Sequence, residues 1–219
     1  MFRRDSTDYA DQREQMVRRQ LEARGIEDEA VLRAMRTVPR HEFVPAGDRT
    51  LAYADQPLSI GAGQTISQPF IVALMTELLH VRRGARVLEV GCGSGYQAAV
   101  FDEMGCEVFA LEVVPELVRR ATERLRRLGY TKVRVRCADG FQGWPEEGPY
   151  DGIILTCAPS EIPSPLLEQL ASGARLVAPV GSPSGTQWLT VAGRTADGIQ
   201  TRRVEPVRFV PMTGNGQTR

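Results

Sequence analysis

At 219 residues the chain is long enough for one sizeable domain, or for a core domain with an appendage. Its 42% hydrophobic and 25% charged residues exclude the disordered and fibrous classes. Lysine plus arginine (27) balance aspartate plus glutamate (27), so no global field draws the chain to nucleic acid or anionic lipid.

The arginine pairs, from Arg18-Arg19 to Arg202-Arg203, mostly have acids interleaved and read as solvated helix faces. Cys92, Cys106, Cys137 and Cys157 form no C-x-x-C pair. That argues against a zinc site or a disulfide framework, and for a reducing compartment where thiols act as small hydrophobes. "MFRRDSTDYADQREQ" lacks the apolar segment of a signal peptide. No run approaches the ~20 apolar residues of a membrane span. A soluble, cytoplasmic protein is expected, with no metal, and a monomer.

Residues 1 to 8 are polar and expected to fray. From Tyr9 to Arg24 a helix is expected, with Met16, Val17 and Leu21 on one face. A second helix lies in "GIEDEAVLRAMRTVP". Glu27 or Asp28 opens it, Val31, Leu32, Met35 and Val38 form its stripe, and Pro39 ends it. "RHEFVPAGDRTLAYADQPLSIGAGQ" reads as a loop, and loops of that length are more often functional than idle. "SQPFIVALMTELLHV" reads as a third helix, with Ser67 or Gln68 near the cap and Pro69 in the first turn.

After it the pattern changes. "ARVLEV", "CEVFALEV", "KVRVRC", "YDGIILT" and "ARLVAPV" are short β-branched runs, and "YQAAVFDEMG", "PELVRRATERLRRLG" and "SPLLEQLA" are helical segments between them. Such alternation specifies an α/β fold, a doubly wound, mostly parallel sheet with helices on both faces. "TQWLTVAGRT" and "GIQTRRVEPVRFVPM" are separated only by "ADG" and read as an antiparallel edge hairpin. The expectation is a single Rossmann-like domain over residues 1–219 with seven strands. Residues 9–79 supply N-terminal helices and a loop, and residues 80–214 the core.

"VLEVGCGSGYQAAV" sets Gly91, Gly93 and Gly95 after an apolar strand and before a helix, where open α/β sheets bind nucleotide-like ligands. Glycines there let the backbone turn tightly and approach a ligand. Tyr96 stands where the dinucleotide fingerprint requires its last glycine, so the loop alone is weak evidence. Three acids sharpen it. Glu112 ends the second strand, where a carboxylate accepts from ribose hydroxyls; Asp139, before Gly140, ends the third, within reach of an adenine amino group. Glu89, inside the first strand, has no apolar role and can face an ammonium. Any one of them reads as a surface acid at a strand end. Together they suit S-adenosylmethionine, a cation without phosphate.

These residues resemble those of the class I methyltransferases. "VPRHEFVPA", "YADQPLSIGAGQTISQPFIVALMTELL", "ADGFQGWPEEGPYDGIILT", "EIPSPLLEQLASGARLVAPVG" and "VRFVPMTG" carry the similarity further. From about residue 13 to 214 the chain resembles the protein-L-isoaspartate O-methyltransferases. "GQTISQP" and "DGFQGWPEEGPYD" are the most family-specific stretches. The resemblance implies Ser67 as the active-site serine, beside Gln64, Thr65 and Ile66. It implies Glu89, Gly91 and Gly93 at the methionine end of the cofactor, Glu112 at the ribose, Asp139 and Gly140 at the adenine, Val113 among the cofactor-binding residues, and the "VPRHEF" and "VRFVP" segments, with Thr213, around the substrate cleft and the cofactor. The implied substrates are isoaspartyl-containing proteins and peptides. Methylation of the freed α-carboxylate gives an ester that collapses to a succinimide, leaving S-adenosyl-L-homocysteine. Ala138, Cys157 and "ASGARL" depart from the family pattern, small residue for small residue.

Methyl transfer from a sulfonium to a carboxylate is an in-line displacement. A carboxylate of pKa ~4 is already ionised, so the enzyme must aim it rather than activate it. A neutral serine hydroxyl does this without the ion pair that would blunt the nucleophile. On the residues alone, Ser67 serves equally as a helix N-cap. His80 reads as a helix cap or a solvent-facing residue, His41 as packing, and Trp144 with Pro145 as a turn.

Adenine-N6 methyltransferases carry an Asp/Asn-Pro-Pro-aromatic tetrad where this chain has "TCAP", and cytosine-C5 enzymes need a Pro-Cys context that Cys157 lacks. A nucleic-acid partner is therefore not expected. Two alternatives share the sequence pattern: a peptide-specific aspartyl O-methyltransferase of a biosynthetic pathway, and a non-catalytic cofactor-binding module.

Overall fold

The computed structural model describes residues 7–196 and 198–214. Helix α1 (Thr7–Met16) runs on through a π turn (Val17–Leu21) and a 3₁₀ turn (Glu22–Arg24), ending at Gly25 with φ 88°. The helix expected to Arg24 is present. Thr7 and Asp8, expected to fray, open it; residues 1–6 lie outside the described residues. Asp28 caps α2 (Glu29–Thr37) by accepting from Ala30 and Val31 N–H, and Val31, Leu32, Met35 and Val38 are buried.

The long stretch read as a loop is structured. It holds two 3₁₀ turns (Arg40–Glu42, Ala46–Leu51) and an antiparallel hairpin, β1 (Leu58–Gly61) with β2 (Gln64–Ile66). Positive φ at Gly61 (86°), Ala62 (53°) and Gly63 (70°) turns the chain back in "GAG". Leu58, Ile60 and Ile66 bury one side of the hairpin. Helix α3 (Pro69–Leu79) follows with Gln68, not Ser67, at its N-cap and no side-chain bond from it. The capping carboxylate comes from Asp55, whose Oδ1 accepts from Phe70 N–H at 3.3 Å.

The main sheet contains β3 (Arg86–Val90), β4 (Glu107–Glu112), β5 (Arg134–Cys137), β6 (Tyr150–Leu155), β7 (Leu170–Val180), β8 (Gln187–Thr195) and β9 (Gly198–Val207), in order β5-β4-β3-β6-β7-β8-β9. Strands β3 to β7 are parallel, and β8 and β9 join antiparallel, as the edge hairpin predicts. Alternation along the strands divides the core. Val87, Val108, Ala110, Ile154 and Val177 face one cluster with the N-terminal helices, α3, α4 (Tyr96–Glu103) and α5 (Pro115–Leu128). Leu88, Phe109, Leu111, Ile153 and Leu155 face the other, thinly covered by α6 (Ser164–Glu168), Phe141 and Trp144. The helix expected over "SPLLEQLA" stops at Glu168, because Leu170 already pairs with Tyr150 and is buried beside it. Between Tyr150 and Gly152 the register then slips.

From β3 the chain adds β4 and β5 on one side and then β6 and β7 on the other, so the carboxyl ends of these parallel strands open a crevice where the strand order switches.

Candidate functional site

That crevice is a cavity of about 840 Å³ including its mouth. Its walls come from residues 64–67, the glycine loop, the ends of β4 and β6, Ala138 with Gly140, and residues 210–213. Gly91 sits at φ 95°, and a Cβ there would come within 2.8 Å of Thr156 Oγ1. Only glycine lets the loop pass β6 so closely. The loop is tied to β4 through Gly91 and Cys92 N–H, which share the Leu111 carbonyl at 2.8 and 2.9 Å.

Glu89 is 1% exposed and lines the cavity. Its Oε2 has no hydrogen-bond partner. Burial first, and then the neighbouring Glu112, pushes its carboxyl well above the usual range. Glu112 is buried but satisfied: Oε2 accepts from Gly93 N–H at 2.8 Å and Oε1 from Val114 N–H at 3.0 Å. Each oxygen keeps a lone pair for a further donor. Among the described residues the lining holds these two carboxylates and no lysine, arginine or histidine. Such a donor set fits a cation and opposes a phosphate.

Of the sequence-derived candidates, Gln64, Thr65, Ile66, Ser67, Glu89, Gly91, Gly93, Glu112, Val113, Gly140 and Thr213 converge on this cavity. Asp139 stands apart. Its Oδ1 accepts from Phe141 N–H at 3.0 Å, and its carboxylate backs onto Gly214, where a Cβ would meet Oδ1 at 2.4 Å. Ala138 and Gly140, on either side, supply the wall. Ser67 is half-buried, and its carbonyl accepts from Arg40 Nη2 at 2.7 Å. The reading of Ser67 as a plain helix cap is excluded, because Gln68 and Asp55 fill that role.

His41 is packed away from the cavity, stacked on Tyr9 at 4.0 Å with Nδ1 2.7 Å from the Tyr53 hydroxyl. His80 is the exposed C-cap of α3 at φ 60°. Trp144 packs edge-on against Phe109 at 5.7 Å. Sequence reasoning missed Met75, Tyr96 and Gln97, which also line the cavity. Tyr96 and Gln97 open the helix directly after the glycine loop, and that position was a usable signal. Met75 is one apolar residue among many in α3.

A glycine loop after the first strand of a doubly wound sheet, with acids at the ends of the first two strands, defines a Rossmann-like methyltransferase. Within that class the chain belongs to the protein-L-isoaspartate O-methyltransferase family: the family model described as "Protein-L-isoaspartate(D-aspartate) O-methyltransferase (PCMT)" matches residues 11–217. A curated relative of that name from Gloeobacter violaceus is 56% identical over 90% of this chain and 97% of its own. Another, from a Picosynechococcus species, is 52% identical over 93% of this chain and 90% of its own. Among solved structures, a protein-L-isoaspartate O-methyltransferase superposes with TM-score 0.84 at 30% identity, covering 93% of this chain and 66% of that one. A Plasmodium falciparum structure titled as a putative member, in complex with S-adenosyl-L-homocysteine, gives 0.80 at 28% identity over 93% of this chain and 99% of that one.

Proposed function

We propose that the chain transfers a methyl group from S-adenosyl-L-methionine to the free α-carboxylate of L-isoaspartyl residues in damaged proteins and peptides. The observation that carries this reading is a cavity with two buried carboxylates and no basic side chain, opening beside Ser67. The orphaned Oε2 of Glu89 fits the cofactor's ammonium, and the free lone pairs of Glu112 fit ribose hydroxyls. Gly140 borders the space for an adenine, and Val113, Thr213 and Gln64 to Ile66 complete the walls. Both the N-terminal portion and the α/β core contribute walls, so we read them as one catalytic unit.

When bound, the cofactor supplies an electrophilic methyl on a positively charged sulfur. A substrate carboxylate held against that methyl would need no proton removed, so this chain would supply alignment and not a general base. The Ser67 hydroxyl would donate to one carboxylate oxygen and so leave the other free to face the methyl group. The apolar walls from Val72, Met75 and Leu111 keep water from the nucleophile. The methyl ester then closes to a succinimide, whose hydrolysis returns part of the damage to normal aspartate.

Labelled methyl transfer to a matched peptide pair, one isoaspartyl and one aspartyl, tests this. Label is expected on the isoaspartyl peptide; transfer to neither, or equally to both, sinks the reading. Ser67→Ala is expected to lower turnover about a hundredfold while leaving cofactor affinity nearly unchanged. An equal fall in cofactor affinity would remove the role assigned to the hydroxyl.

A further inference from the structure

Arg40, in "VPRHEF", has no place in the chemistry so far. Its side chain is 0% exposed and is the largest of the fully buried ones. A buried guanidinium ordinarily sits against a carboxylate. Among the described residues Arg40 forms no ion pair. Instead Nε donates to the Ala52 carbonyl at 2.7 Å and Nη2 to the Ser67 carbonyl at 2.7 Å. Its guanidinium carbon lies 4.8 Å from the centroid of the Tyr96 ring, which lines the cavity. Nη1 makes no hydrogen bond of normal geometry. Burial lowers its pKa, and Tyr96, Tyr53 and Asp55 work against that by favouring the charge.

The bond to Ser67 has a mechanical consequence. A peptide unit is planar, so fixing the Ser67 carbonyl fixes the plane that links the serine to Gln68 at the start of α3. The direction of the Ser67 Cα–Cβ bond follows from that plane. It has an electrostatic consequence as well. The charge stands one peptide unit behind the hydroxyl, under protein rather than water, and so is screened little by salt. From there it attracts an anion at Ser67 without touching it, and avoids the contact ion pair that would hold a nucleophile's electrons.

We propose that Arg40 is a positioning residue for the methyl transfer, orienting Ser67 through its carbonyl and holding a buried positive charge behind the substrate carboxylate. The proposal rests on the function argued above and deepens it.

A double-mutant cycle on the full-length protein tests it. The parent enzyme is assayed first with isoaspartyl peptide, because a parent without transfer defeats the functional reading and this proposal together. In an active parent, Arg40→Lys keeps the charge but cannot hold both carbonyls. It is expected to lower kcat/KM for the peptide about tenfold, with cofactor Kd within about twofold. In a Ser67→Ala background the same change is expected to cost less than about threefold, since the residue acts through the serine. Equal losses in both backgrounds, or a parallel fall in cofactor affinity, overturn the proposal while leaving the function intact. Should Arg40→Lys lack a cooperative melting transition, Arg40→Gln goes through the same cycle; its loss is expected to shrink in the Ser67→Ala background without vanishing, since the removed charge acts on the carboxylate directly, and a loss that does not shrink overturns the positioning role. If neither folds, Arg40 is structural and the proposal is wrong.

Discussion

Glu89 is the residue whose environment departs furthest from that of a carboxylate in water. Burial and then Glu112 favour its neutral form, so above the ordinary carboxylate range there is a span of pH in which the ligand-free protein keeps a proton there that the unfolded chain has released. The sign follows. A carboxyl whose folded pKa is raised costs stability as pH climbs above its unfolded value, because the unfolded state ionises first. Glu89→Gln is therefore expected to raise the melting temperature of the ligand-free protein at neutral pH. The same change removes the anion that a cation needs, and cofactor binding by calorimetry is expected to weaken tenfold or more. In the parent, cofactor affinity is expected to rise with pH as Glu89 gives up its proton, and in Glu89→Gln the profile is expected to flatten. A Glu89→Gln protein that binds cofactor as well as the parent would leave the orphaned oxygen without a role.

Elements with long internal periodicity were legible in sequence. The 3.6-residue stripe of α2, the apolar run of α3 and the alternation of strands with helices all appear as read. What escaped was set by contacts distant in the chain. The β1–β2 hairpin has strands of four and three residues, too short to show a period of two among prolines and glycines. The end of α6 is decided by pairing of Leu170 with Tyr150, not by its own propensity. The cap of α3 comes from Asp55, which also pairs with Arg24 at 2.7 Å and so ties three segments together. Asp55→Ala is expected to destabilise the fold by about 1 kcal/mol in urea unfolding, the usual cost of a lost cap. Asp55→Asn, which still presents an acceptor oxygen, is expected to keep much of that. An Ala variant as stable as the parent would mean that Phe70 N–H finds another partner.

Across the whole molecule, the zero net charge conceals a cavity of one sign. Composition averages over the surface, whereas the sheet gathers Glu89 and Glu112 into one crevice and leaves the arginines elsewhere. The strand-end acids of the site were readable because topology fixes where strand ends go. Residues 210–213 were readable only by resemblance, since nothing in "VPMT" marks a wall. They are held by Ala158, which donates N–H to the Val210 carbonyl and accepts from Met212 N–H, both at 2.8 Å. These two bonds, the buried Met212, and a further pair between Phe209 and the side chain of Gln187 in β8 fasten the wall to the sheet. The link into this clasp carries Arg208, a trypsin site just beyond the last strand. S-adenosyl-L-homocysteine is expected to slow cleavage there several-fold in limited proteolysis followed by mass spectrometry, because a bound ligand closes the local opening that a protease needs. Unchanged cleavage would show that the clasp does not feel the ligand. A chain clipped after Arg208 would keep β1 to β9 and lose only the covalent tether of one pocket wall, so a protease is expected to weaken cofactor binding before it lowers the melting temperature.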